Sequence, residues 1–167
     1  TMPTARLFLA VDLATETRRR LHACCRQLRP ELPEVRWVSP EALHLTLHFL
    51  GDTDLDRVRA LDAALRTVLA GELPWVCACQ GLGVFPTLRR ATVLWAGIEA
   101  GGDRLTRLAS RVRTAVRALG LAGDDRPFQP HVTLGRWRAP YRGQPELLGR
   151  HLESYARHGF GESPVDR

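Results

Sequence analysis

No lysine occurs anywhere in the sequence: all 24 basic residues of the 167 are arginine. That absence excludes several chemistries. The chain carries no P-loop lysine, no Schiff-base lysine and no lysine nucleophile of the kind nucleotide-dependent ligases use. Cysteine is sparse too, with four residues, Cys24, Cys25, Cys77 and Cys79. An adjacent pair and a C-x-C match no usual zinc spacing, so we read all four as small core hydrophobes. No apolar run approaches the roughly 18 residues of a membrane span, and no charged-then-apolar leader is legible. We therefore expect a cytoplasmic protein with no membrane partner. What is present is a formal charge of +6 and a sequence pI near 10.1. Arginine favours planar, bidentate contact with phosphate. The charge fits a nucleic acid or phosphorylated substrate, and equally a solvated basic surface.

Hydrophobic content of 44% gives enough apolar material for one well-cored domain or two small lobes. Alternation predicts strands over 5–13, 42–51, 73–85, 91–99 and 129–137, with a short extended piece over 35–40. Helical spacing predicts helices from Thr15, as its cap, to Pro30, over 54–70, around Leu105 to Leu119, and over 145–158. The run 120–128 reads as a polar loop. Strands and helices interleave around a hairpin at "PTLRR", which indicates an α+β fold rather than a parallel sheet. Each half offers one long amphipathic helix and one H-Φ-T-L strand. This suggests a single bilobal domain over 1–167, with two facing lobes and no separable linker.

The two H-Φ-T-L runs are "HLTL" at 44–47 and "HVTL" at 131–134. On a strand, His44 and Thr46 share one face and Leu45 and Leu47 the other; His131 and Thr133 likewise oppose Val132 and Leu134. The apolar pair anchors each strand, so the polar pair faces outward. His44 and His48 could bind one metal only on a helix. On a strand, four residues span roughly 13 Å, and no acidic residue in the motif completes a site. Two imidazoles suit another task. Unperturbed imidazole titrates near pH 6.5, so one ring can accept a proton while another donates one. In-line displacement at a phosphodiester needs that combination, and threonine hydroxyls can donate to the non-bridging oxygens as charge builds.

The paired motifs resemble the two H-x-T-x motifs of the two-histidine phosphoesterase superfamily. "RLFLAVDL", "RWVSPEALHLTLHFLG", "GLGVFPTLRRATVLWAGIE" and "DRPFQPHVTLGRWR" are similar, in order, to the bacterial and archaeal RNA 2′,3′-cyclic phosphodiesterases, also called 2′-5′ RNA ligases. The resemblance spans about residues 5 to 160. It implies a bilobal α+β fold with pseudo-two-fold symmetry, two mainly antiparallel sheets with flanking helices, and a central basic cleft. It implies metal-independent hydrolysis of RNA 2′,3′-cyclic phosphate to a 2′-phosphate, with reversible 2′-5′ ligation of tRNA halves. On that analogy His44 is the general acid and His131 the base. Thr46 and Thr133 bind the phosphoryl oxygens, and Arg136 falls where the family places a phosphate-contacting arginine. No cofactor or metal is implied; we expect RNA as the partner and a monomer as the working form.

Three positions depart from the pattern. Strict alternation puts Arg136 on the face opposite His131 and Thr133 unless the strand bulges near Gly135. His48, where the family often has a basic residue, shares the His44 face by alternation and is a further candidate substrate contact or a rim residue. The family pattern continues past "FGESPVDR" into a further strand, so one sheet is expected to lack an edge. Phe8, Trp37, Phe49 and Phe128 could stack a base but read more readily as core aromatics, and Arg18, Arg19 and Arg20 as a solvated helix face. Arg89 and Arg90, in the hairpin turn, fit an RNA phosphate contact or a solvated turn equally. A catalytically idle RNA- or nucleotide-binding module on the same fold is the alternative to an enzyme.

Overall fold

Apolar residues alternating with polar ones build β1 (Thr4–Asp12) and β3 (His44–Asp54), which pair antiparallel. The computed structural model describes residues 3–165 apart from residues 73, 122 and 124. The first residue of the predicted strand 73–85 and two residues of the loop 120–128 thus lie outside the described residues. The other strands are β2 (Val35–Trp37), β4 (Trp75–Phe85), β5 (Val93–Ala100), β6 (His131–Trp137) and β7 (Gly159–Val165). One antiparallel sheet runs β1-β3-β6-β5-β4-β7, with β2 also on β6. The helices are α1 (Thr15–Leu28), α2 (Val58–Leu69), α3 (Gly102–Ala118) and α4 (Pro145–Glu153). The fold is α+β, as the interleaving of elements predicts.

The sheet is nearly cut in two between β3 and β6. β3 and β6 share a single ladder pair, Leu45 with Val132. On one side lie β1 and β3, covered by α3 with α2 behind it. On the other lie β6, β5, β4 and β7, with α1 on β7 and α4 on β4. Leu45, Val132, Leu94, Ala96 and Leu134 are fully buried and join the halves through one core. The halves are unequal in strand number, and local two-fold symmetry holds where the two motif strands meet.

Two elements differ from the sequence expectation. Thr15 is not a cap but the first helical residue. Ala14 precedes the helix, and its N–H donates to the buried Ser163 hydroxyl at 2.9 Å. The cap is therefore supplied by β7, far away in sequence. The fourth helix stops at Glu153 rather than 158, because Tyr155 turns back to donate its hydroxyl to Gln27 Oε1 at 2.6 Å. β7 then closes the β4 edge. Gly159, Gly161 and Pro164 disguise it as a loop, yet Pro164 is tolerated on an edge strand and Gly161 has φ of +106°. All four cysteines are free and buried in the core, as their spacing suggests. Burial pushes the thiols up, Cys24 to about 11 and Cys25 and Cys79 to about 12, so they stay protonated.

Candidate active site

The pairing of Leu45 with Val132 fixes the site. Directly opposed residues share a sheet face, and these two face the core. Their sequence neighbours His44, Thr46, His131 and Thr133 therefore project together from the opposite face. The antiparallel register sets His44 beside Thr133 and Thr46 beside His131. A local two-fold axis passes between the two leucine-class anchors and exchanges the two motifs.

Both imidazoles are anchored alike. His44 Nδ1 lies 2.6 Å from the carbonyl oxygen of Ala42, and His131 Nδ1 lies 2.6 Å from that of Gln129. A carbonyl only accepts, so each Nδ1 carries the proton and donates it. Each Nε2 is thereby left to exchange a proton with whatever occupies the site. The surroundings differ. Phe8 lies flat on His44, with centroids 4.6 Å apart and planes 20° apart. His131 meets the edge of Phe85 at 5.0 Å and has Trp95 at 6.3 Å. Burial holds His131 below the usual imidazole range; the Gln129 carbonyl opposes this, and the Arg136 charge adds to it. His131 is therefore neutral at neutral pH.

A bulge follows each motif. On β6, Trp95 pairs with Thr133 but Leu94 with Gly135, so Leu134 is an extra residue. Leu134 and Gly135 both point inward, and Arg136 returns to the His131 face opposite Val93. Strict alternation is thus broken at the position that brings Arg136 into the site. Gly135 is closely covered: a Cβ there would meet Val35 Cγ1 at 2.4 Å.

On β3 the same device corrects the reading of His48. Ala10 pairs with Thr46 but Leu9 with His48, so Leu47 is extra. His48 turns to the interior, 6% exposed, and faces away from His44 and Thr46. It is buried rather than on a solvated rim. Phe49 takes the place on the site face that alternation gives to His48. Phe8 and Phe49 stand opposite one another there and are 46% and 44% exposed, so they are not core aromatics. Trp37 and Phe128 do pack against the core, and Arg19 and Arg20 bond Glu16 on a solvated face. Arg89 and Arg90 are exposed in the turn. Phe85 and Trp95 escaped the sequence reading because an aromatic in an apolar strand carries no sign of which face it takes. The glycine inside "TLGRW" was the usable signal for a bulge.

Among the described residues, no three His, Cys, Asp or Glu side chains converge to hold a metal ion. No helix among them is long and apolar enough to cross a membrane.

Comparison with known proteins places the chain in a family. The family model described as LigT-like phosphoesterase matches residues 11–95 and 97–166. An RNA 2′,3′-cyclic phosphodiesterase of Archaeoglobus fulgidus is 32% identical over 160 residues, 96% of this chain and 86% of that protein. One of Geobacillus stearothermophilus is 33% identical over 148 residues, 88% of this chain but 47% of the relative, so the chain spans about half of that protein. The crystal structure of Escherichia coli LigT complexed with 3′-AMP superposes with a TM-score of 0.69 at 29% identity, covering 85% of this chain and 78% of that one.

Proposed function

Because the chain belongs to the LigT-like phosphoesterases, we propose that it hydrolyses RNA 2′,3′-cyclic phosphate ends to 2′-phosphates by metal-independent acid–base catalysis. The observation that carries this reading is the pair of imidazoles on one face, each with Nδ1 tied to a backbone carbonyl and Nε2 free for proton transfer. The neutral His131 takes a proton from water through Nε2 as the water oxygen bonds to phosphorus. The bond from phosphorus to O3′ breaks in line, and His44 delivers its Nε2 proton to the leaving O3′. Thr46 and Thr133, each beside the other motif's histidine, donate to the non-bridging oxygens as negative charge builds there. Arg136 adds a cation on the same face beyond the bulge. Two imidazoles supply every proton transfer, so no step calls for a Lewis acid.

A 5′-hydroxyl in place of water would form a 2′-5′ bond by the same path, which is ligation of two RNA ends such as tRNA halves. One chain supplies all the residues named, so a monomer in the cytoplasm suffices. The test is turnover of a nucleoside 2′,3′-cyclic phosphate in the presence of a chelator, with the product mapped. A 2′-phosphate formed at an undiminished rate is expected. A 3′-phosphate, or a rate abolished by the chelator, overturns the mechanism. RNA binding without turnover would leave a binding module on this fold.

A further inference from the structure

We propose that Arg36, with Arg136, forms a second anion site that holds the phosphodiester one nucleotide upstream of the reacting phosphate, so that the enzyme selects RNA ends over mononucleosides. The inference rests on the catalytic reading above for the direction in which the substrate lies.

Arg36 is the direct cross-strand partner of Arg136 between β2 and β6. Opposed residues share a face and stand about 5 Å apart at Cβ. The flanking pairs confirm the face: Val35 with Trp137 is buried, and Trp37 covers Gly135. Arg36 and Arg136 are both exposed, on the side of His131 and Thr133. Like charges directly opposed destabilise a sheet, and neither guanidinium has a carboxylate partner among the described residues. An anion between them turns that repulsion into a paired site, and arginine's planar fork suits phosphate.

The position matches a neighbouring phosphate. β2 continues the line of β3 along the same edge of β6, so Arg36 lies beyond the His44–Thr133 end of the site. In-line attack by water from the His131 side leaves the ribose on the His44 side. The 5′-phosphate of that ribose therefore points toward Arg36. Along the paired strand β5, the rungs of Thr133 and Arg136 are two residues apart, Trp95 to Val93, or about 7 Å. That is the scale of the step between successive phosphates along an RNA strand. A mononucleoside cyclic phosphate lacks the group that would reach this site.

The test compares equilibrium binding of a nucleoside 3′,5′-bisphosphate with that of the 3′-monophosphate bearing the same base, at low salt. The wild type should favour the bisphosphate by roughly tenfold, the scale of one charge-assisted contact. Arg36→Gln should bring that ratio close to one, and Arg36→Lys should restore part of it. Equal affinities in the wild type, or an unchanged ratio in Arg36→Gln, would overturn the second site. Because binding is read without turnover, the outcome separates from that of the catalytic reading. An enzyme inactive on cyclic phosphates yet still selective for the bisphosphate would lose its proposed reaction and keep the anion site.

Discussion

The two halves of the site start from the same four-residue pattern and end in different chemistry. In each, a histidine is tied by Nδ1 to the carbonyl two residues before it, and a bulge after the threonine re-aims the strand. The residue that emerges beyond the bulge is Phe49 on one side and Arg136 on the other. Across the strand from them stand Phe8 and Arg36. One half thus offers exposed aromatic faces beside its imidazole, and the other offers guanidinium groups. The same backbone device carries two aromatic rings on one side and two cations on the other. Local symmetry places the two imidazoles alike, and these side chains give their surroundings opposite character.

The largest expected effect breaks the symmetry of the two imidazoles. On an RNA cyclic phosphate, His44→Ala and His131→Ala should each lower kcat/KM by about 10²- to 10⁴-fold. A phosphodiester with a nitrophenol leaving group needs no acid, so His44→Ala should lose far less on that substrate. His131→Ala should stay impaired on both. Steady-state rates of the two variants on both substrates decide the matter, and the reverse pattern would exchange the roles.

Next in size is the bulge itself. Gly135→Ala places a Cβ 2.4 Å from Val35 Cγ1 and 3.1 Å from the Arg36 carbonyl oxygen, so the Val35 side chain or β2 itself must shift. We expect a loss of about 1–3 kcal/mol, read as a lower urea midpoint. The equivalent place on β3 holds His48, a large side chain, since that strand has no counterpart of β2 over it. Equal stability of Gly135→Ala and wild type would show that β2 yields easily.

The comparison also shows what a single sequence reveals. The anchors Leu45, Leu47, Val132 and Leu134, the paired motifs and most element boundaries follow from periodicity, because alternation is a local property. The face taken by Arg136, His48 and Phe49 does not, because a bulge depends on which residue the neighbouring strand offers. Gly135 hinted at one bulge; nothing in "HLTLHFLG" marks the other. β7 and the cap on α1 were hidden for the same reason. Ser163 and Ala14 are far apart in sequence, and a run holding Gly159, Gly161 and Pro164 has poor strand propensity.

A smaller effect concerns pH. On the proposed mechanism only neutral His131 accepts a proton, so activity should fall as pH drops through its pKa. That value is lowered, chiefly by burial, so the acidic limb of kcat/KM should lie below about 6.5, the unperturbed imidazole value. Arg136→Gln removes one lowering influence and should move the limb upward. A limb that stays in place would mean that the guanidinium does not act on the ring.

The smallest effect separates the two aromatic neighbours. Phe8 is stacked on His44 yet nearly half exposed, so it orients that ring without excluding water from it. Phe85 stands edge-on to His131 in the half where the imidazole is desolvated. Phe8→Leu should therefore cost at most about 1 kcal/mol of orientation, a fall of up to roughly fivefold in kcat/KM, with the acidic limb unmoved. Phe85→Leu admits water to His131, and its signature should be an upward move of that limb. The two pH–rate profiles, measured side by side, test whether one ring positions and the other dries its histidine. Identical shifts in both variants would mean that the halves differ in sequence but not in how they treat the imidazole.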